Sequence, residues 1–191
     1  MKRVGLDDIL GFSGYAKVRE DFLRRIIELK RKRRISIGDK VSLVFENRDT
    51  VIFQIQEMLR AERITDLDKI REEIAVYNEL IPEPSELSAT LFLEIEDQTN
   101  LREDLLKFLG IDEVVYLNVG RHSIRGRFEE GHSKEDKISA VQYVRFPFDA
   151  DARQAFIAGE KAAMMIDHPN YKASVNLAPE VQKSLAEDLV S

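Results

Sequence analysis

The chain has no cysteine and no tryptophan among its 191 residues. The first absence excludes disulfides, a thiolate nucleophile and any zinc ion or iron–sulfur cluster held by cysteines of this chain. Any redox service would therefore need a cofactor or partner to carry the electrons. No apolar run approaches the length of a membrane span. The start, MKRVGLDDILGF, lacks the apolar core and small-residue cleavage site of a secretory signal. A cytoplasmic protein with no membrane partner is expected. Also missing are the Walker loop, GxGxxG, the GxSxG elbow and HExxH, together with any internal repeat or low-complexity segment.

What is present fits a folded globular protein, with 43% hydrophobic and 34% charged residues. The length suits one well-buried core, so residues 1–191 read as a single domain. The break at Ile81-Pro82-Glu83-Pro84 places any subdomain boundary near 81–86. The net charge of −6 is unevenly spread: residues 1–40 hold 12 Lys/Arg against 6 Asp/Glu, an excess of +6, which leaves −12 on the rest. Such a basic arm on an acidic body suits an anionic partner, or the acidic surface of a second subunit. The KRKRR run, Lys30 to Arg34, reads either as a phosphate-binding patch or as a helix end matched to its dipole. It lacks the aromatic interleaving of single-strand binders, so nucleic acid is not an expected partner.

Taken in order, Tyr15, Val18, Phe22, Ile26 and Leu29 fall at helical spacing and predict a helix over about 14–34 with that stripe buried. The stretch VSLVFENRDTVIFQIQEMLRAERI then gives an apolar strand, Val41 to Phe45, a polar corner capped by Asp49 or Thr50, and a helix. Leu67, Ile70, Ile74, Tyr77 and Ile81 form a short heptad seam that could pack on the preceding helix or on its copy in a homodimer. Leu87, Ala89, Leu91, Leu93 and Ile95 alternate with Ser88, Thr90, Phe92 and Glu94 as a half-buried strand. After it, Asp97 or Thr99 opens a helix stopped by Gly110. Strands at Val114 to Val119 and Ala140 to Phe148 read as one extended hairpin. Asp149 caps a short helix, His168-Pro169-Asn170 turns a last hairpin, and Pro179 starts a closing helix along Val181 and Leu185. The expected class is α+β, a mostly antiparallel sheet with helices on one face, helix-rich first and strand-rich later.

The polar corner carries the candidate site. Glu46, Arg48, Gln54, Gln56, Glu57, Arg60 and Arg63 either line an anion pocket at the strand end and helix start, or serve as caps and surface pairs such as Glu57 with Arg60. Glu46, Glu57 and His168 are the candidate acid–base groups; Arg48, Gln54, Gln56, Arg60 and Arg63 are the candidate ligand contacts. His122, His132 and His168 invite a metal, with His122 and His168 the better candidates, but no two of them sit at a paired ligand spacing. Arg121, Arg125 and Arg127 alternate along the predicted hairpin. No cofactor is indicated.

FENRDTVIFQIQEMLRAERI, with RRIIELKRKRRISIGDKVSLVF upstream, YNELIPEPSELSATLFLEI later and the terminal DHPNYKASVNLAPEV, resembles an uncharacterised bacterial family. That family is known only as a domain of unknown function, number three-five-zero-one. The likeness spans almost the whole chain. It implies gene neighbours of the rubrerythrin type and an iron–sulfur oxidoreductase subunit, hence an accessory role in peroxide or iron-linked redox metabolism; it brings no catalytic residues. Two function classes follow. One is a binding or accessory protein contacting a redox partner or small anion through Glu46 to Arg63. The other is a small enzyme using a Glu/Arg/His pocket on an anionic substrate.

Overall fold

The computed structural model describes residues 1–95, 99–129, 133–134 and 137–190; Asp97 and His132, both named above, lie outside them. The chain opens with a short 3-10 turn, Leu6–Asp8, and runs into α1 (Phe12–Arg31), β1 (Arg34–Ile37) and β2 (Val41–Glu46). Next come α2 (Arg48–Ala61), α3 (Leu67–Asn78), β3 (Glu86–Leu93) and α4 (Leu101–Leu106). Strands β4 (Val115–Val119), β5 (His122–Arg125), β6 (Arg127–Phe128), β7 (Ser133–Lys134), β8 (Lys137–Ile138) and β9 (Val141–Pro147) follow. The end is α5 (Ala150–Ile157), β10 (Ala162–His168), β11 (Tyr171–Asn176) and α6 (Pro179–Val190).

The α+β class holds, and the antiparallel strands divide between two main sheets and a small β7–β8 ribbon. The larger sheet has the order β1-β2-β3-β9-β6 and the smaller β11-β10-β4-β5. Their inner faces share one core, in which Leu43, Phe45, Leu91 and Phe146 of the larger sheet join Leu117 and Met164 of the smaller, with Phe156 of α5 and Leu185 of α6. The outer face of the larger sheet carries the helical layer, where Val51, Ile55 and Leu59 of α2 meet Ile74 of α3, Leu80 and Ile81, with Tyr143 of β9 packed alongside.

The two sheets are stitched together along both sides. On one side a single strand changes sheets at Gly126: its N–H still donates to Val115 O at 2.8 Å, and the next residue, Arg127, already pairs with Arg145. A Cβ there would lie 2.8 Å from Val144 Cγ2 and 3.2 Å from Phe146, so only glycine passes. On the other side the Tyr171 hydroxyl donates to Ile37 O at 2.6 Å and accepts from Lys40 N–H at 3.0 Å, which ties β11 to the β1–β2 turn.

Four sequence expectations change. The Val114 to Val119 segment does not pair with Ala140 to Phe148: β4 pairs with β5 and β10, while β9 pairs with β3 and β6, because the crossing at Gly126 separates them. This crossing also puts Arg125 and Arg127 in different sheets. The β3 strand is buried on both faces rather than one, since Ser88 and Thr90 lie under the helical layer. The cap of α2 is Asn47, whose side chain accepts from Thr50 N–H at 3.0 Å while Thr50 Oγ1 accepts from Asn47 N–H at 2.9 Å. Finally, α1 packs along α2 and buries Tyr15 and Ile26 but leaves Val18 39% exposed, on the side turned away from that contact.

Candidate functional site

Helix α2 distributes the candidate residues over three separate environments. At its start, against the sheet, Glu46 is 3% exposed. Its Oε2 accepts from Thr50 Oγ1 at 2.5 Å and Gln54 Nε2 at 3.0 Å, and its Oε1 accepts from Thr90 Oγ1 at 2.7 Å. These three neutral donors enclose the carboxylate. A buried acceptor supplied this way is a structural hub, and no described cavity reaches it.

The second environment faces the N-terminal segment. Gln56, also 3% exposed, accepts from Leu10 N–H at 2.7 Å and donates to Leu10 O at 3.1 Å. Asn78 of α3 does the same for Val4, accepting from its N–H at 2.8 Å and donating to its carbonyl at 3.0 Å. Arg48 pairs with Asp8 at 2.6 Å, and Arg3 reaches Glu79 at 3.2 Å and Glu83 at 2.6 Å. The first ten residues are thus strapped across α2 and α3.

The third environment lies between α1 and α2 and is open. Glu57 Oε1 accepts from the Tyr15 hydroxyl and Arg19 Nε, both at 2.8 Å, and Oε2 accepts from Arg19 Nη2 at 2.8 Å. Arg60 adds Nε at 3.3 Å and Nη2 at 3.2 Å. Hydrogen bonds from Arg19, ahead of those from Arg60 and Tyr15, hold the Glu57 carboxyl down at about 2, below its ordinary value of 4.5. Burial, and secondarily the bond to Glu57, push the Tyr15 phenol well above its ordinary value.

Beside this cluster lies a cavity of about 820 Å³. Its apolar wall includes Leu6, Ile9, Phe12, Leu59, Leu67 and Ile70, and its polar lining includes Tyr15, Arg19, Glu20, Gln56 and Arg60. The size falls within the range of small-molecule sites, and so does the make-up, an apolar wall with a few convergent polar groups. A second cavity of about 680 Å³ at the Gly126 crossing is lined by charges of both signs, and there Arg125 is already paired with Glu113.

The remaining candidates lie elsewhere. Arg63 is exposed and takes the left-handed conformation that ends α2, with φ 53°. His168 is 4% exposed: its Nε2 donates to Leu109 O at 2.9 Å, Nδ1 accepts from Asn170 N–H at 3.2 Å, and the ring stacks on Phe108. It shapes the turn into β11. His122 pairs with Val119, itself opposite Ala162, so it sits at the other end of β10 from His168. The two ends are about 20 Å apart along the strand at ~3.3 Å per residue. Among the described residues no group of three or more His, Asp or Glu is placed to hold a metal ion. The sequence pattern places Tyr15 in the buried stripe, where it lies at 2% exposure, but assigns no role to its hydroxyl or to Arg19. Their four-residue spacing, which aims both at Glu57, was the available signal.

Fold and cavity together define an α+β protein in which an antiparallel sandwich presents a helical layer with one apolar groove. The chain belongs to the family described as Protein of unknown function (DUF3501), whose profile matches residues 3–189. A crystal structure of a novel protein of unknown function from Burkholderia pseudomallei K96243 is similar at 35% identity and a TM-score of 0.93, covering 98% of this chain and all of that one. No curated protein matches the chain. Among the described residues no helix is long and apolar enough to cross a membrane.

Proposed function

We propose that the chain is a binding protein whose site is the groove walled by the N-terminal segment, α1, α2 and α3, and that it takes a small, largely apolar organic molecule. The observation that carries this reading is the meeting of about 820 Å³ of apolar-walled space with the Tyr15–Arg19–Glu57–Arg60 cluster. The enzyme alternative needs acid–base groups converging on one cavity. Instead Glu46 is enclosed, Glu57 is held ionised by two guanidinium groups, and His168 is committed to a turn. In a cytoplasmic homodimer, the state suggested by the sequence pattern and the heptad seam, the groove would serve an accessory protein acting beside the peroxide- or iron-linked redox partners that the family resemblance alone implies.

The test is titration with the neutral dye Nile red, read by fluorescence. The expected result is saturable binding at one site per chain. Phe12→Ser with Leu67→Ser, at positions 42% and 55% exposed, should weaken it about tenfold or more with the far-UV circular dichroism unchanged. Absence of saturable binding, or binding indifferent to both substitutions, would sink the reading.

A further inference from the structure

The polar part of the groove wall carries more information than its apolar part. Arg19 and Arg60 both line the cavity, and one carboxylate, Glu57, stands between them. Its two oxygens already take five donor contacts, so it is used up as an acceptor. Each arginine gives Glu57 its Nε and Nη2. Among the described residues the Nη1 group of each makes no hydrogen bond. Two fixed guanidinium groups against one saturated carboxylate leave an unspent positive charge and two sets of oriented N–H donors beside an apolar wall. Glu20, the other acid on the lining, is exposed and forms no ion pair among the described residues; it acts on Arg19 only through space, and more weakly than Glu57 does.

Building on the groove reading above, we infer that the ligand is an amphipathic organic monoanion with a carboxylate-type head on Arg60 and Arg19 and an aliphatic body along Leu59, Leu67 and Ile70. Glu57 then acts as a positioning residue. It holds both guanidinium groups in place through paired N–H···O bonds, so that little side-chain freedom is lost when the anion arrives. Arg60, with its side chain 46% exposed against 32% for Arg19, is the more accessible donor and sets the preference for charge.

The experiment is displacement of Nile red from the full chain by decanoate, decanol and decyltrimethylammonium, which share a chain length and differ in head group. Decanoate should displace the dye at about one-tenth the concentration of decanol, the size expected for one charge-assisted hydrogen bond, and the cationic amphiphile should be weakest. In Arg60→Gln the decanoate-to-decanol ratio should fall to within about twofold of unity, whereas Arg60→Lys should keep part of it. The ratio is taken within each protein, so a general loss of affinity does not enter. Equal potency of acid and alcohol in the wild type, or a ratio untouched by Arg60→Gln, overturns the monoanion assignment while leaving the groove standing. Failure of Nile red to bind at all removes both.

Discussion

Gln56 and Leu10 meet as neighbouring strands do: one side-chain amide gives and receives with the backbone of one residue, at 3.1 and 2.7 Å. Asn78 repeats the arrangement on Val4, at 3.0 and 2.8 Å. Each buried primary amide replaces a missing strand neighbour for a segment that has no sheet to join. Replacing either residue by leucine leaves a backbone pair without partners. Gln56→Leu is expected to cost about 1–2 kcal/mol and Asn78→Leu about 2–3 kcal/mol in urea unfolding, the latter more because Val4 is 4% exposed. Limited proteolysis should then cut within the first ten residues faster than in the wild type. Unchanged cleavage would mean that the amides are not what holds the strap.

Glu46 organises the buried junction of β2, β3 and α2. Glu46→Ala removes the acceptor of three donors and leaves Thr50, Gln54 and Thr90 facing a void. A loss of about 3 kcal/mol or more is expected by chemical denaturation, against less than about 0.5 kcal/mol for Asp49→Ala on the exposed flank. Equal effects at the two positions would refute the hub role.

Glu57 should give stability a pH dependence with a definite sign. Its folded value of about 2 lies below the ordinary 4.5, so the unfolded chain binds the proton first as pH falls. The stabilisation is fully present above about pH 4.5 and is lost as pH falls through about 2. Comparing wild type with Glu57→Gln by thermal unfolding, the gap in melting temperature should narrow steadily over that window. A gap constant from pH 6 to pH 2 would show that the cluster contributes nothing through charge.

Arg33 is the member of the basic run that is not on the surface. It is 1% exposed, donates to Phe45 O at 2.8 Å and Glu46 O at 3.1 Å, and pairs with Asp188 of α6. Burial raises the Asp188 carboxyl above its usual range, and Arg33 opposes that shift. Arg33→Met strands a carboxylate and three carbonyls, those of Phe45, Glu46 and Ser184, so a loss of about 3–5 kcal/mol is expected. Adding Asp188→Leu should recover a large part of it. A double variant no more stable than the single would mean that the carbonyl contacts, rather than the charge pair, carry the effect.

Arg33 also shows where sequence reasoning stops. Lys30, Arg31, Lys32, Arg33 and Arg34 look alike in a string, and the one that turns inward is chosen by Asp188, 155 residues away. Local signals served well: the Asp149 cap, the Pro169 hairpin and the start of α6 at Pro179 fall where turn and cap chemistry put them. The crossing at Gly126 did not show, because a glycine between two short strands carries no mark of which sheet each will join. The site was legible in its residues and not in its grouping. Glu57 and Arg60 could be paired from their spacing, but the partners of Gln56 and Glu46 are Leu10 and Thr90, and no periodicity links such distant positions.

The crossing at Gly126 also orders events in time. Half of the four-stranded sheet, β4 and β5, lies between β3 and β9 in the sequence, yet β3 and β9 are direct partners in the other sheet. Closing that pair encloses β4, β5 and β6 in one loop, and non-local closures of this kind are slow compared with the packing of α1 on α2 or the turning of β1 into β2. During synthesis the helical layer and its groove emerge first, on a sheet that still lacks β9 and β6, and the outer face gains its last strands only when the later half of the chain arrives.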